Sequence, residues 1–391
     1  MVLQTLPKAF SRFRFPFIFL LLALLLPGCG GGRGASTDGM RPAVQLFTPL
    51  AESKVMTVSP REAESLSLKM ERRTQGLNSW KDLDFALSQS LAHASSRPAG
   101  LVAVDKPGLR LTYGDLAATL THLRSILPRL DSYPGLLARD FTWYRIGPDF
   151  GLTGYYEPTL AASRKKSSRY YYPLYKLPPD LRKGKAYHTR NAIDRKGALA
   201  GRNLELAWVD SETDAFFLHI QGSGRLLFED GTVKHALYHG KNNRAYRPLG
   251  RIMRDEGLLE PDNITMQSIR KVLEEYPQRN AELFDQNPSY IFFRESDKGP
   301  YGAMGRPLTP WVSTASDRQS MPHGVLNFLI APLPDAQGNM TKPFYGLTLP
   351  QDVGGAIKGN RLDLFCGPGQ NAEHTAGHLN VRGAVYILVK K

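Results

Sequence analysis

Carboxylates on extended segments beside glycine-rich turns are the groups in this chain best placed to move a proton, and Asp363 is the foremost of them. It sits in Arg361-Leu362-Asp363-Leu364-Phe365, where alternation puts Leu362 and Leu364 on one face and Arg361, Asp363 and Phe365 on the other. Gly354, Gly355 and Gly359 permit tight turns ahead of this strand, and Gly367-Pro368-Gly369 closes it. A carboxylate so held can meet a ligand that approaches the backbone closely. Local chemistry alone also allows a surface Arg361–Asp363 pair on an edge strand, and exposed pairs of that kind contribute little.

Other reactive groups are weaker candidates. His374 and His378 are four apart, a spacing that puts both on one helix face, but no HExxH surrounds them and no third ligand is evident. A solvated or capping role fits them better than a metal. Cys366 lies three residues from Asp363 without a histidine at a partner spacing, which reads as a packed thiol. Ser163-Arg164-Lys165-Lys166 matches Ser-x-x-Lys, yet it lies in a basic, serine-rich run and its companion Lys-Thr-Gly is absent. No Gly-x-Ser-x-Gly elbow occurs.

The elements that must hold these groups are mixed. Ser79 caps a predicted helix with Trp80, Leu83, Phe85, Leu87 and Leu91 as its apolar positions. Thr112 caps a second, with Leu116, Leu120, Leu123 and Leu127 on its core face and Pro128 as its stop. From residue 141 the texture becomes β-like: 141–146, 170–175, 204–209, 215–221 and 224–228 read as strands. Residues 248–256, 265–276 and 277–286 read as helices before a strand at 290–293.

The N-terminus carries Lys8, Arg12 and Arg14, then an apolar run from Phe15 to Leu26, too short to span a bilayer comfortably and suited to a signal-peptide core. Leu26-Pro27-Gly28-Cys29 looks like a bacterial lipobox with Cys29 as the lipidated first mature residue, and Gly30 after it favours the outer membrane by resemblance to other lipoproteins. Residues 1–28 then form the signal peptide and 29–59 a flexible tether, spanning roughly 30 Å as a coil. Fifty basic against 36 acidic residues give +14, or about +11 without residues 1–28. Such a balance favours polyanions. For an exported lipoprotein, peptidoglycan with its free peptide carboxylates and anionic phospholipid fit the compartment better than nucleic acid, and charge alone decides for neither. Cys366 is the one cysteine left for the folded part, which rules out an internal disulfide there.

Asp352-Val353-Gly354-Gly355-Ala356-Ile357-Lys358-Gly359 followed by Leu362-Asp363-Leu364-Phe365 resembles the C-terminal three-aspartate (3D) domain of the membrane-bound lytic murein transglycosylase A family. The family's aspartates match Asp317 (in Ala315-Ser316-Asp317, then Pro322-His323-Gly324), Asp352 and Asp363. Its other markers stand here as Thr153-Gly154-Tyr155-Tyr156-Glu157-Pro158 and Gln221-Gly222-Ser223-Gly224-Arg225. The resemblance runs from about residue 60 to the end.

It implies a mainly β fold with flanking helices. A discontinuous double-psi β-barrel catalytic domain (60–152 and 296–391) would take a second, β-barrel-like substrate-binding domain (153–295) as an insert, with a groove between them. It also implies cleavage of the β-1,4 bond between N-acetylmuramic acid and N-acetylglucosamine without water. The muramyl C6 hydroxyl attacks C1 to leave a 1,6-anhydro end, and one carboxyl, Asp363, serves as general acid and then base. Asp317 and Asp352 support it. Such an Asp needs a raised pKa, from burial or a neighbouring carboxylate, which Arg361 would oppose if close.

Thr153, Tyr155 and Tyr156, by themselves core plus turn, become sugar contacts, although adjacent strand residues face opposite ways and one tyrosine only can line a given surface. Gln221, Gly222, Ser223 and Gly224, lacking a GxGxxG frame, a Walker lysine and a following helix, read as a hairpin whose amides face a sugar. Glu157, extended before Pro158 with its side chain toward solvent, is a weak second carboxylate. No metal or organic cofactor is implied. The implied partners are glycan strands, the membrane through Cys29, and wall-synthesis enzymes. Two rivals stay open: an inverting endoglycosidase using two carboxylates, and a non-catalytic wall-binding lipoprotein.

Overall fold

The computed structural model of the protein describes residues 54–391, so Cys29, the signal segment and most of the tether lie outside the described residues. Lys54–Thr57, expected as the end of the tether, is instead a strand paired antiparallel to residues 144–147.

Six strands close on themselves. In ring order they are Phe141–Glu157, Arg361–Pro368, Ser313–Ser316, Met340–Asp352, Asn327–Pro334 and Asn380–Lys390, the last of which pairs back to the first. The first and second run parallel, as do the third and fourth; the other neighbours are antiparallel. Closure leaves no free edge inside the ring and turns one face of every strand inward. Leu362 and Leu364 share one face of the ring with Leu152 and Ile387, Phe328 and Leu347 share the other, and all six are buried.

Helices cover one side of this barrel. Thr112 and Asp115 form a capping box, with the Asp115 amide donating to the Thr112 hydroxyl at 3.2 Å and the Thr112 amide to the Asp115 carboxylate at 2.8 Å. The helix they open, Tyr113–Leu130, buries the four expected leucines but does not stop at Pro128. Each buried leucine contributes roughly 1.5–3 kcal/mol, against about 3 kcal/mol for an interior proline, and Leu127 and Leu130 pack the final turn.

The Ser79 segment begins as a single 3-10 turn, Trp80–Leu83, and continues as helix Asp84–Ser95. Its buried face is Ala86, Leu87, Ser90 and Ala94, while Phe85 is exposed. Small residues win that face because the Gln351 amide must reach in: its Nε2 donates to the Ala86 carbonyl and the Ser90 hydroxyl, both at 2.8 Å.

After Pro158 the chain builds a second, six-stranded sheet before returning at residue 300. Its order is Ile291–Ser296, Val233–Lys241, Ser223–Phe228, Thr159–Ser163, Glu205–Val209, Tyr172–Tyr175, and a single bridge from Lys176 to Phe293 draws its two edges together. Residues 215–221, expected as a strand, are the body of helix Glu212–Gln221. Ser211 caps it, Glu212 and Asp214 occupy its first turn, and Ala215 to His219 are all buried. An apolar run buried on every side carries no periodicity that could separate helix from strand.

Candidate active site

The register of the barrel sets up the site. Asp363 lies opposite Thr153 on one neighbour and Ala315 on the other, and Ala315 lies opposite Asp352. Residues opposed across neighbouring strands share a face, so Thr153, Asp363 and Asp352 fall in one row across four strands. A register shift between Thr314 and Ala315 passes over Gln351, so Asp352 completes the row.

Asp363 is half-buried at the centre of this row. The Thr153 hydroxyl donates to its Oδ1 at 2.6 Å, and Arg361 Nη2 donates to that hydroxyl at 3.2 Å. Burial raises the Asp363 pKa above the ordinary carboxylate value; the Thr153 bond and the Arg361 charge oppose the rise without cancelling it. Arg361 is thus close to the aspartate, and its influence is outweighed.

Asp352 is held by three donors. Tyr155 donates its phenol to Oδ2 at 3.0 Å, while the amides of Ala303 and Val353 both reach Oδ1 at 2.8 Å. Burial still pushes Asp352 up to about 6, with the charge of Asp363 adding to it. Asp317 differs. Burial raises it, but the amides of Gly359 (3.0 Å) and Gln319 (3.1 Å) with the charges of Lys358 and Arg318 outweigh that and hold it below the ordinary value. An ionised Asp317 fastens the 354–359 loop just before the Asp363 strand.

The linkage of Asp352 has a defined sign. A folded-state value raised from 3.8 to about 6 means its contribution is fully present below pH 3.8 and is lost as pH rises through 6. Asp352→Asn keeps an Oδ1 acceptor for both amides. We expect the loss in urea-unfolding free energy between pH 4 and pH 7.5 to shrink in this variant, by on the order of 3 kcal/mol. An unchanged pH profile would contradict the assigned environment.

The structure places Thr153 and Tyr155 with Asp363, and the Tyr155 ring lies against Phe365 with centroids 5.2 Å apart. It does not bring Tyr156 there. That side chain is 3% exposed, packs with Cys366 and Ala372, and donates its phenol to Glu373 Oε1 at 3.0 Å. Gln221 ends a helix and Gly222 is its left-handed cap, so the 221–225 segment is a helix-to-strand junction and not a hairpin. Gln221 Oε1 accepts from the Tyr156 amide at 3.0 Å, which ties the junction to the strand leaving the barrel. A Cβ at Gly224 would lie 2.5 Å from Leu218 and 3.0 Å from the Pro158 carbonyl, so glycine there serves packing.

Glu157, expected toward solvent, is 0% exposed and sits between Arg225 Nε (2.9 Å) and His235 Nδ1 (2.7 Å) in the second sheet. His374 and His378 share a helix face as their spacing predicts, and each turns a ring nitrogen to a backbone carbonyl at 2.8 Å. Cys366 is packed and its thiol is raised by burial and the charge of Asp363. No cluster of metal-ligating side chains occurs among the described residues.

Sequence reasoning missed the Ala303 amide on Asp352. A backbone donor carries no residue type, although Gly302 offers a trace: a Cβ there would lie 2.5 Å from the Gln351 carbonyl. A cavity of about 90 Å³ lined by Arg190, Asp194, His219 and Tyr290 takes none of its walls from the barrel strands.

Comparison with known proteins identifies the family. The MltA-specific insert domain matches residues 151–294, and the 3D domain matches residues 312–389. The membrane-bound lytic murein transglycosylase A of Escherichia coli K12 is 33% identical over 311 residues, which cover 73% of this chain and 84% of that protein. The chain belongs to the membrane-bound lytic murein transglycosylase A family.

The relative from Vibrio cholerae is 36% identical over 240 residues, 60% of this chain and 64% of that one. The crystal structure of the Agrobacterium tumefaciens membrane-bound lytic murein transglycosylase superposes with a TM-score of 0.71 at 31% identity, covering 86% of this chain and 97% of the other. That of the E. coli MltA with bound chitohexaose gives 0.67 at 29% identity, covering 79% and 90%. The fold shared with these family members is the mostly β architecture with flanking helices described above.

Proposed function

We propose that this protein is a peptidoglycan-cleaving lytic transglycosylase in which Asp363 is the single general acid and base. The observation that supports this most directly is the state of the carboxylates around the site. Asp363 alone among them is half-buried, raised in pKa and bonded by one hydroxyl at one oxygen. Asp352 carries three donors, Asp317 two amides, and Glu157 an arginine and a histidine. An inverting hydrolase needs a second carboxylate free to activate water. None of these three is free.

In the proposed reaction Asp363 gives its proton to O4 of the departing N-acetylglucosamine as the C1–O4 bond breaks. The muramyl C6 hydroxyl bonds to C1 and passes its proton to the same carboxylate. No water is consumed, and Asp363 ends protonated. Thr153 fixes the acid, Tyr155 steadies the neighbouring Asp352, and Gln221, Gly222 and Ser223 lie where the strand departs toward the second sheet.

We read 60–152 with 296–391 as a double-psi β-barrel and 153–295 as its insert, with glycan lying in the groove between them. The chitohexaose held by the E. coli relative supports a glycan ligand. Anchoring at the periplasmic face of the outer membrane through lipidated Cys29, and contact with wall-synthesis enzymes, belong to the same proposal.

Mass analysis of products from purified sacculi tests it. Muropeptides one water lighter than hydrolytic ones are expected; hydrated products would make the enzyme a hydrolase, and no release would make it a binding protein. Thr153 supplies a second check. Thr153→Val removes a bond that lowers the Asp363 pKa, so the alkaline limb of the pH–rate profile should move upward, whereas Thr153→Ser should leave it in place. A limb that does not move in Thr153→Val would detach it from Asp363.

A further inference from the structure

The cavity of about 90 Å³ beside the second sheet lies between strand Tyr172–Tyr175 and helices Arg190–Asp194 and Glu212–Gln221. A cavity of about 150 Å³ accommodates benzene, so this one has room for a group of about four heavy atoms. Phe216, Ile193 and Phe284 give it apolar walls, and a few polar groups are set among them, which is the usual make-up of a ligand pocket.

The polar groups have defined roles. Arg190 is buried, and its guanidinium donates to the carbonyls of Asn287 at 3.3 Å and Ser289 at 2.9 Å. Its Nη2 also lies 3.0 Å from His219 Nδ1. Arginine has donors only, so Nδ1 must accept. Burial and then the charge of Arg190 hold His219, 7% exposed, well below its ordinary pKa. The ring is therefore neutral and carries its one proton on Nε2. That proton finds no acceptor among the described residues, and Nε2 is not sealed in by packing, so it faces the cavity that the ring lines. Across from this donor stands an acceptor. Asp194 Oδ1 takes the Tyr290 phenol at 3.0 Å, which leaves Oδ2 with a long 3.5 Å contact to Arg190.

Arg190 and Arg195 line the cavity together with Asp194 and Glu212, so an entering ion gains no net counter-charge. A neutral group with both a donor and an acceptor is served at both ends, without the cost of an unpaired polar atom. An acetamido group has four heavy atoms: a carbonyl for His219 Nε2, an N–H for Asp194 Oδ2, and a methyl for the apolar walls. Tyr171 carries the lining out to solvent. Its ring is edge-on to Tyr172 with centroids 5.6 Å apart, and Lys166 Nζ over one face at 4.0 Å still leaves the residue 54% exposed. An aromatic face so placed can stack on the C–H face of a sugar.

We infer that this cavity is a second glycan site, which takes the acetamido group of an N-acetylhexosamine while Tyr171 stacks on the sugar ring. The choice of sugar rests on the proposed peptidoglycan-cleaving reading, and the site adds a hold on glycan outside the row that cleaves it.

Calorimetric titration of the full protein with tetra-N-acetylchitotetraose tests the site, with cellotetraose as the sugar that lacks acetamido groups. Tyr171→Ala changes an exposed position and Ala215→Leu fills the cavity wall, and neither lies in the catalytic row. The wild type should bind two equivalents of the acetylated sugar. Ala215→Leu should bind one, and Tyr171→Ala should weaken one of the two sites about three- to tenfold. Both variants should keep the wild-type kcat on sacculi. A single equivalent in the wild type, two undiminished sites in both variants, or cellotetraose bound equally well at the second site overturns the inference. Should Ala215→Leu fail to fold, Tyr171→Ala decides by itself. Two sites in a protein that cleaves no sacculi would sink the enzymatic reading and uphold this one.

Discussion

Asp363→Asn lowers the rate of glycan cleavage on purified sacculi by about 100- to 10,000-fold, the range for a lost general acid, and leaves the fold intact. The amide has the shape of the carboxylic acid and keeps an Oδ1 acceptor for the Thr153 hydroxyl, now bonded at 2.6 Å. It cannot release a proton to O4 or take one from O6. Stability should move the other way. Burial raises the Asp363 pKa, so its ionised form is a cost to the folded state, absent below the unfolded value of 3.8 and complete once pH exceeds the folded value. The asparagine variant should therefore unfold at equal or higher denaturant than wild type at pH 7.5, with the gap closing near pH 3.5. Activity and urea unfolding on one preparation check both halves. Near-full activity would remove Asp363 from the mechanism.

Glu157→Ala gives the opposite pattern. This carboxylate is 0% exposed at the end of the long barrel strand and joins it to the second sheet through Arg225 and His235. Removing one partner of a buried ion pair strands the other and costs roughly 3–5 kcal/mol. Arg225 keeps 37% of its side chain exposed, so its charge can recover solvent and about 2–4 kcal/mol is the better expectation. The folded fraction should turn over far faster than a protein lacking its general acid. A variant as stable as wild type but catalytically dead would make Glu157 a second catalytic carboxylate.

Much of the site was legible before any coordinates. Alternation in Arg361–Phe365 placed Asp363 away from Leu362 and Leu364, and both leucines are buried in the barrel. The Ser79 and Thr112 caps sit where their side chains imply, because capping is settled within four residues. Helix Glu212–Gln221 was not legible, since Ala215 to His219 are all buried and such a run has neither a 3.6 nor a 2 period. Which of the two tyrosines faces Asp363 was also open, since alternation shows that they differ and not which one points where.

The chain alone determined the local terms: a carboxylate on an extended segment, its apolar neighbours, the caps, and the glycines that allow close turns. Each depends on residues within a few positions of one another. Tertiary structure decided what those groups became. The skipped Gln351 puts Asp352 in the row, and parallel pairing sets Thr153 beside Asp363 across 210 residues. Arg225 and His235, from strands far along the chain, enclose Glu157, which the sequence had turned toward solvent. Protonation follows from burial and from donors brought in by distant strands, and neither quantity exists until the barrel has closed.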